Sequence, residues 1–403
     1  MDEVLLLTHR IPYPPDKGDK IRSWHLLRFL NARFRVHLAC FVDDPRDLEY
    51  RDFLRSQCAS AAFVEIKPFW AKAKSVPALL TSDPQSFFFY RHQKMQNIVA
   101  NLRSKNLAAE FAFSSTMTPY IERQIGDRNR IVDFCDADSE KWLQYAERAR
   151  FPLSWLYRRE GKTLAAAENQ VANWADHSFA VSKDEADIFN NRSAVNRKVD
   201  WYTNGVDLDY FDLSQFPADE EKRCEIAFVG AMDYQANIEG ILGFVDAVWP
   251  KIRAENSGAR FNIIGSNPTK EITGLNHHDG ITVTGRVPDI RPWLASASVM
   301  IAPLRVARGI QNKVLEAMAA GKAIVASPEA MTGINANANA AKIAHSPQEM
   351  ANAINFLLDD DTKKNEMGAA ARSFVEAHFS WDSAFNRLEN ALNELGVYSS
   401  SSA

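Results

Sequence analysis

The sequence predicts an α/β protein built from two doubly wound, Rossmann-like parallel-sheet domains that face each other across a cleft, followed by C-terminal helices. Three observations carry this. Short β-rich apolar runs alternate with longer helical patterns along most of the 403 residues, the pattern left by parallel strands joined through crossover helices. That length exceeds what one core ordinarily serves, at roughly 100–200 residues per domain. A non-periodic stretch, WYTNGVDLDYFDLSQFPADEEKR, breaks the alternation with an Asn-Gly turn, a proline and a charge run, and reads as a linker at about residues 204–223.

In the first domain, residues 1–205, strands are expected at VLLLTH (4–9), RVHLACFV (35–42), AAFVEIK (61–67), EFAFSSTM (110–117), RIVDFCD (130–136) and HSFAVS (177–182). In the second, residues 206–378, they are expected at EIAFVG (225–230), ARFNIIG (259–265), ITVTG (281–285), SVMIAPL (298–304) and AIVAS (323–327). Such runs are too continuous for strands with one wet face, and fit sheets covered by helices on both sides. Helical spacing recurs at 347–357, 362–378 and 381–395. A last helix, 379–397, is expected to cross back to the first domain, and 398–403 to form a disordered tail. Ligands of wound sheets bind beyond the carboxyl ends of the strands, so chemistry belongs in the loops that follow these runs.

Composition excludes several classes. Hydrophobic residues make up 46% and charged residues 24%, as in soluble globular proteins. No stretch reaches the roughly 18–20 apolar residues of a membrane span. MDEVLLLTHR has too short an apolar run for a signal peptide, so the expected location is the cytoplasm. Cys40, Cys58, Cys135 and Cys224 stand far apart with no C-x-x-C pair, which suggests neither zinc nor a disulfide framework. With a net charge of −4 and no large basic patch, nucleic acid is not an expected partner.

RGIQNKVLEAMAAGKAIVAS, residues 308–327, carries the most chemistry. A helix opening at Gly309, Ile310 and Gln311 presents free N–H groups and the positive end of its dipole to an anion. Arg308 and Lys313 add two cations. Glu316 lies at i,i+3 from Lys313 and at i,i+4 from Asn312, so all three line one face. A carboxylate there suits a ribose, and the helix start suits a diphosphate. An ordinary surface helix with a Lys-Glu pair explains this stretch equally well.

Two motifs stand in the first domain. PPDKGDKIR (14–22) places Gly18, Lys20 and Arg22 around a helix start after the first strand, as a phosphate-cradling turn would. Asp136-Ala137-Asp138 spells D-x-D, a pattern able to hold a divalent ion. Its place on the first domain, away from the expected diphosphate site, argues against a metal. A better use is to orient or deprotonate an acceptor hydroxyl, with Lys141 meeting acceptor phosphate; helix capping by Asp138 accounts for the same residues. His9 reads as structural, and His277 and His278 lie in a loop without other ligands. The segment 141–162 interleaves six Lys or Arg with aromatic residues, and 67–80 and 86–92 extend that character. They fit either the headgroups of the inner membrane face or plain helix packing.

LEAMAAGKAIVAS (315–327) resembles the donor-site helix of retaining GT-B glycosyltransferases of the group 1, or family 4, type. The resemblance extends to NGVDLDYF (204–211), FVGAMDYQAN (228–237) and VTGRVPDIRPWLASASVMIAPL (283–304), in the order the family keeps. With THRIPYPPDKGDKIRSWHLLRFL (8–30), CDADSEKW (135–142) and SWLYRREG (154–161), the chain is most similar to sugar transferases associated with PEP-CTERM/exosortase and exopolysaccharide loci.

The resemblance implies that Glu316 holds the nucleotide ribose and that Gly309 to Gln311 meet the diphosphate or the sugar. Gly230 would approach phosphate, with Asn237 closing the same motif, while Arg286 and Val287 would flank the base and Gly18 the reacting centre. It implies a UDP- or GDP-linked hexose donor, a glycan or lipid-linked acceptor and no metal requirement. Two departures stand out: the family often has glutamate where this chain has Arg308, and an Arg and a Lys after Gly230 that this chain lacks. Arg308 and Lys313 are read as their replacement, stabilising the leaving diphosphate. A nucleotide-sugar epimerase of the same fold and a non-catalytic nucleotide-sugar binding or scaffold protein are the alternatives.

Overall fold

A computed structural model describes residues 1–15, 17–192, 194–216, 225–307 and 310–398. The chain divides into two compact units, Met1–Thr203 with Phe385–Ala403, and Asn204–Ala384.

The first unit holds β1 (Glu3–Thr8), β2 (Arg35–Val42), β3 (Ser60–Glu65), β4 (Leu107–Phe113), β5 (Asn129–Cys135), β6 (His177–Ala180) and β7 (Asp200–Trp201). They form a 7-stranded sheet ordered β3-β2-β1-β4-β5-β6-β7, every neighbouring pair parallel. Val4 to Leu7 and Leu38 to Phe41 are fully buried, because helices cover both faces. Each Val, Leu or Phe among them contributes about 1.5–3 kcal/mol on burial.

The second unit holds β8 (Glu225–Val229), β9 (Arg260–Ile264), β10 (Ile281–Gly285), β11 (Val299–Ala302), β12 (Ala323–Ala326) and β13 (Lys342–Ile343). They form a 6-stranded parallel sheet ordered β10-β9-β8-β11-β12-β13. In both sheets the order reverses beside the first strand, between β1 and β4 and between β8 and β11. Those switch points are where a wound sheet opens a crevice at its carboxyl edge. The helices Pro347–Asp359, Asp361–His378 and Trp381–Glu394 follow. The fold is thus a pair of Rossmann-like domains with C-terminal helices.

Two expectations are corrected, and two strands are added. The described part of the stretch read as a linker is packed into the second unit: Val206 and Phe211 are buried in its core, and the Val206 amide donates to the Phe379 carbonyl at 2.8 Å. Its turns are tied locally, Asp207 accepting from the Tyr210 amide at 3.0 Å, which is why the sequence shows no period. Tyr398, placed in the tail, stacks on Phe34 with ring centroids 5.3 Å apart; residues 399–403 lie outside the described residues. Strands β7 and β13 escaped the sequence reading because two residues each leave no alternation to detect.

Candidate functional site

At the carboxyl edge of the second sheet, from β8 outward to β10, the backbone closely approaches itself. The Gly230 amide donates to Ile264 O at 3.1 Å and the Gly265 amide to Gly285 O at 3.2 Å, so the loops after β8, β9 and β10 are joined in series. A Cβ on Gly265 would fall 1.6 Å from Gly230 O, and one on Gly230 would fall 2.8 Å from Asn237 Nδ2. Only hydrogen fits at Gly265, and at Gly230 an added Cβ would displace the Asn237 amide, so the backbone at the end of β8 is bare.

Asn237 belongs to the helix Gln235–Ala247 and is buried. Its Nδ2 donates to Ala231 O at 2.8 Å, and its Oδ1 accepts from Lys313 Nζ. The Lys313 ammonium also lies 4.8 Å from the centre of the Phe228 ring, a favourable place for a cation. Lys313 comes from the helix Asn312–Ala319, whose Val314, Leu315, Ala317 and Met318 face the core. Gln311 caps that helix with extended backbone and no side-chain cap; its carbonyl accepts from the amides of Val314 and Leu315 at 2.9 and 3.3 Å. Ile310, partly buried, packs into the space left by Gly333, where φ is 76° and an added Cβ would meet Ile310 Cγ1 at 3.0 Å.

Glu316 stands one turn beyond Lys313, and the pair is charge-frustrated. Burial pushes the Lys313 ammonium down to about 8, with Glu316 opposing, and pushes the Glu316 carboxyl up to about 7, with Lys313 opposing. Each has lost water without gaining full compensation from the other, a condition common at functional sites. Tyr210 also feels this charge: burial raises its phenol first, Asp289 adds, Arg291 opposes and Glu316 adds again. Arg291 lies over the Tyr210 ring at 4.5 Å and pairs with Asp289 at 2.8 Å. The sequence reading missed these three, although they sit in the NGVDLDYF and VPDIRPW stretches. Arg286 is exposed and Val287 partly buried, both directly after Gly285. Arg308 and Gly309 lie outside the described residues.

The frustrated carboxyl gives a stability signature. Because its value in the fold lies above the ordinary 4.5, the fold favours the protonated form. That stabilisation is complete below the ordinary value and is lost as pH rises through about 7. Lys313, pushed down to about 8, keeps most of its charge up to neutral pH. Glu316→Gln should therefore stabilise the ligand-free protein relative to wild type by about 1–2 kcal/mol near pH ~7 and by little near pH ~5. Thermal melts of both forms at the two pH values check this; equal differences at both would overturn it.

In the first unit, Gly18 opens the helix Gly18–Asn31, with nothing within 4 Å of an added Cβ. Lys20 and Arg22 do not form the expected phosphate turn. Lys20 is 1% and Arg22 0% exposed, since both face inward from the helix. Lys20 pairs with Asp47 at 2.7 Å. Arg22 holds Asp133 of β5 through Nε at 2.8 Å and Nη2 at 3.2 Å, donates to Tyr202 O at 2.9 Å and stacks 3.6 Å from the Tyr202 ring centre. These cations are committed to the core.

Asp136, Asp138 and Lys141 do meet, at the end of β5. Lys141 Nζ lies 2.5 Å from Asp136 Oδ2 and 3.1 Å from Asp138 Oδ1. Burial opposes the lysine's charge, but the two carboxylates outweigh it and hold the ammonium well above its ordinary value. Asp138 is the first residue of the helix Asp138–Arg148 and makes no cap; Ala137 precedes it. Beside β1 stands a second polar group. Asp19 accepts from His9 at 3.2 Å and Arg10 at 2.8 Å, and Arg10 reaches Asp43 at 2.9 Å. Burial raises the Asp19 carboxyl, but His9 and Arg10 outweigh it and hold it well below the usual range. Among the described residues no cluster of His, Cys, Asp and Glu is arranged to hold a metal ion.

Residues 223–360 match the family model described as glycosyl transferases group 1. The matched stretch carries a group 1 glycosyltransferase domain. It contains Gly230, Asn237, Lys313 and Glu316, and the chain is an enzyme of the transferase class. No curated protein matches the sequence. Among solved structures, the chain is similar to sucrose-phosphate synthase from Thermosynechococcus elongatus, at TM-score 0.66 and 16% identity, covering 99% of this chain and 100% of that one. It is also similar to Anabaena HepE solved with UDP, at TM-score 0.65 and 14% identity over 97% and 100% of the two chains. HepE solved with UDP-glucose gives TM-score 0.64 and 13% identity over 98% and 100%. These likenesses confirm the two-domain GT-B fold around the group 1 domain.

Proposed function

We propose that the protein is a retaining hexosyltransferase that moves a sugar from a UDP- or GDP-linked donor to a polysaccharide or lipid-linked acceptor. Its place would be cell-surface or exopolysaccharide synthesis of the PEP-CTERM/exosortase-associated kind. One observation carries the reading: a half-buried Lys-Glu pair, each member short of compensation, projects from a helix start within the group 1 domain, and the lysine reaches Asn237 beside the bare backbone of Gly230. Neighbours of the same fold are solved with UDP and with UDP-glucose.

In this reading Glu316 accepts two ribose hydroxyls, whose hydrogen bonds favour its ionised form. Lys313 and the amides of the helix start, with Arg308 and Gly309, stabilise the diphosphate, so no metal is required. Gly230 lets phosphate approach the main chain, and Arg286 and Val287 flank the base. The acceptor hydroxyl attacks the anomeric carbon on the face from which the phosphate leaves. The C1–O bond to phosphate breaks, the bond to the acceptor oxygen forms, and the acceptor proton passes to the departing phosphate oxygen. Asp136 and Asp138, held by Lys141 on the first unit, bind and orient that acceptor.

A thermal-shift panel of nucleotide sugars tests the reading. The cognate donor should stabilise the protein by about 2.7 kcal/mol at a hundred times its Kd, and transfer should persist when divalent ions are chelated. A flat panel, or turnover abolished by chelator, would overturn it.

A further inference from the structure

The group 1 domain leaves the most exposed apolar surface of the first unit unexplained. The helix Pro68–Ser75 and the 3₁₀ turn Val76–Leu80 after it show Phe69 at 76%, Trp70 at 61% and Leu80 at 92% exposure. The corner that begins the helix Leu153–Trp174 shows Phe151 at 82%, with Leu153 and Trp155 about half exposed. Large apolar side chains in such numbers are costly in water and mark an interaction site.

These two regions belong to one surface, fixed by hydrogen bonds. Arg159 donates to the carbonyls of Ala78 and Thr81. Glu160 takes the amides of Gln85 and Ser86 at 2.6 and 2.9 Å. Trp155 lies one turn before Arg159 on the same helix face, which puts it beside the turn that carries Leu80. These bonds join the two segments while their apolar tips stay exposed.

Its charge selects the occupant. Between residues 67 and 82 the chain has three lysines, Lys67, Lys72 and Lys74, and no carboxylate; the three are exposed. Behind the helix, a groove of about 340 Å³ is lined by Lys67, Trp70, Lys74, Phe88 and Arg91, with Glu65 on its wall. Arg91 covers the Phe88 ring at 4.3 Å and pairs loosely with Asp83 at 3.8 Å. Apolar tips interleaved with ammonium groups match the depth profile of a bilayer interface, with aromatics at the headgroup level and lysines at lipid phosphates. A protein partner would call for a flatter apolar patch with charge at its rim.

We infer that residues 67–92, with the corner at 151–155, dock the first unit onto the surface of an anionic bilayer, the groove seating a lipid phosphate. The inference stands independently of the transferase reading. Full-length protein should float with vesicles of phosphatidylcholine and phosphatidylglycerol, and should not float with phosphatidylcholine alone. Replacing Lys67, Lys72 and Lys74 with glutamine should weaken partitioning about fivefold per lysine and about a hundredfold together. Phe69→Ser with Trp70→Ser and Leu80→Ser should abolish it while the melting curve stays as in wild type. Should the apolar variant misfold, the lysine series and a salt titration of wild type decide, with binding falling as salt rises. Wild type that stays unbound, that floats equally on neutral lipid, or that binds as before in the lysine series would overturn the inference.

Discussion

Lys313→Ala is expected to lower the turnover rate by about 10²–10³-fold, the usual cost of removing one preorganised charge aimed at a developing anion. Glu316→Ala is expected to act on binding instead, weakening the donor about 10–150-fold as charge-assisted hydrogen bonds to the ribose are lost. The two residues share one helix turn yet separate in kinetics, because the ribose is unchanged in the reaction while the diphosphate gains charge. Both variants should stay folded: Lys313 and Glu316 are only partly buried, and the core face of their helix is made by other residues. Steady-state kinetics with the donor found by thermal shift, together with melts of both variants, make the check. Wild-type turnover in Lys313→Ala, or an unchanged donor Kd in Glu316→Ala, would dismiss the site.

Arg22→Met should produce the largest loss of stability in the first unit, about 3–5 kcal/mol, out of a typical total of about 5–15. The guanidinium satisfies Asp133 through two hydrogen bonds and also serves the carbonyls of Tyr202 and Ala180. Without it, the buried carboxylate keeps the Tyr202 hydroxyl but loses its counter-charge. Soluble yield and melting temperature should fall together. A variant that melts like wild type but loses only donor or acceptor affinity would restore the ligand-binding role for Arg22 that its burial contradicts.

That contrast explains what the sequence shows and what it hides. The strands are legible because both faces of a parallel sheet are buried, so runs such as EVLLLT and RVHLACFV are apolar almost throughout. The proposed donor side could be read from the sequence because a glycine after a strand and a helix start with Lys and Glu at i,i+3 are local patterns. Arg22 is not legible. An arginine facing a phosphate and one facing Asp133, 111 residues away, look alike until the chain folds. The same holds for Lys20 and Asp47, and for Tyr210, whose tie to Arg291 spans two motifs that read as unrelated turns. The aromatic platform was visible as composition, but only Arg159 and Glu160 show that its separate segments lie on one side.

The two-residue strands β7 and β13 each close one side of their sheet. An open ladder that short offers too few free amides and carbonyls to template an added strand. At those sides the protein is shielded against edge-to-edge aggregation. Should concentrated solutions ever form intermolecular β-structure, its seed has to be sought at the longer opposite borders, β3 and β10.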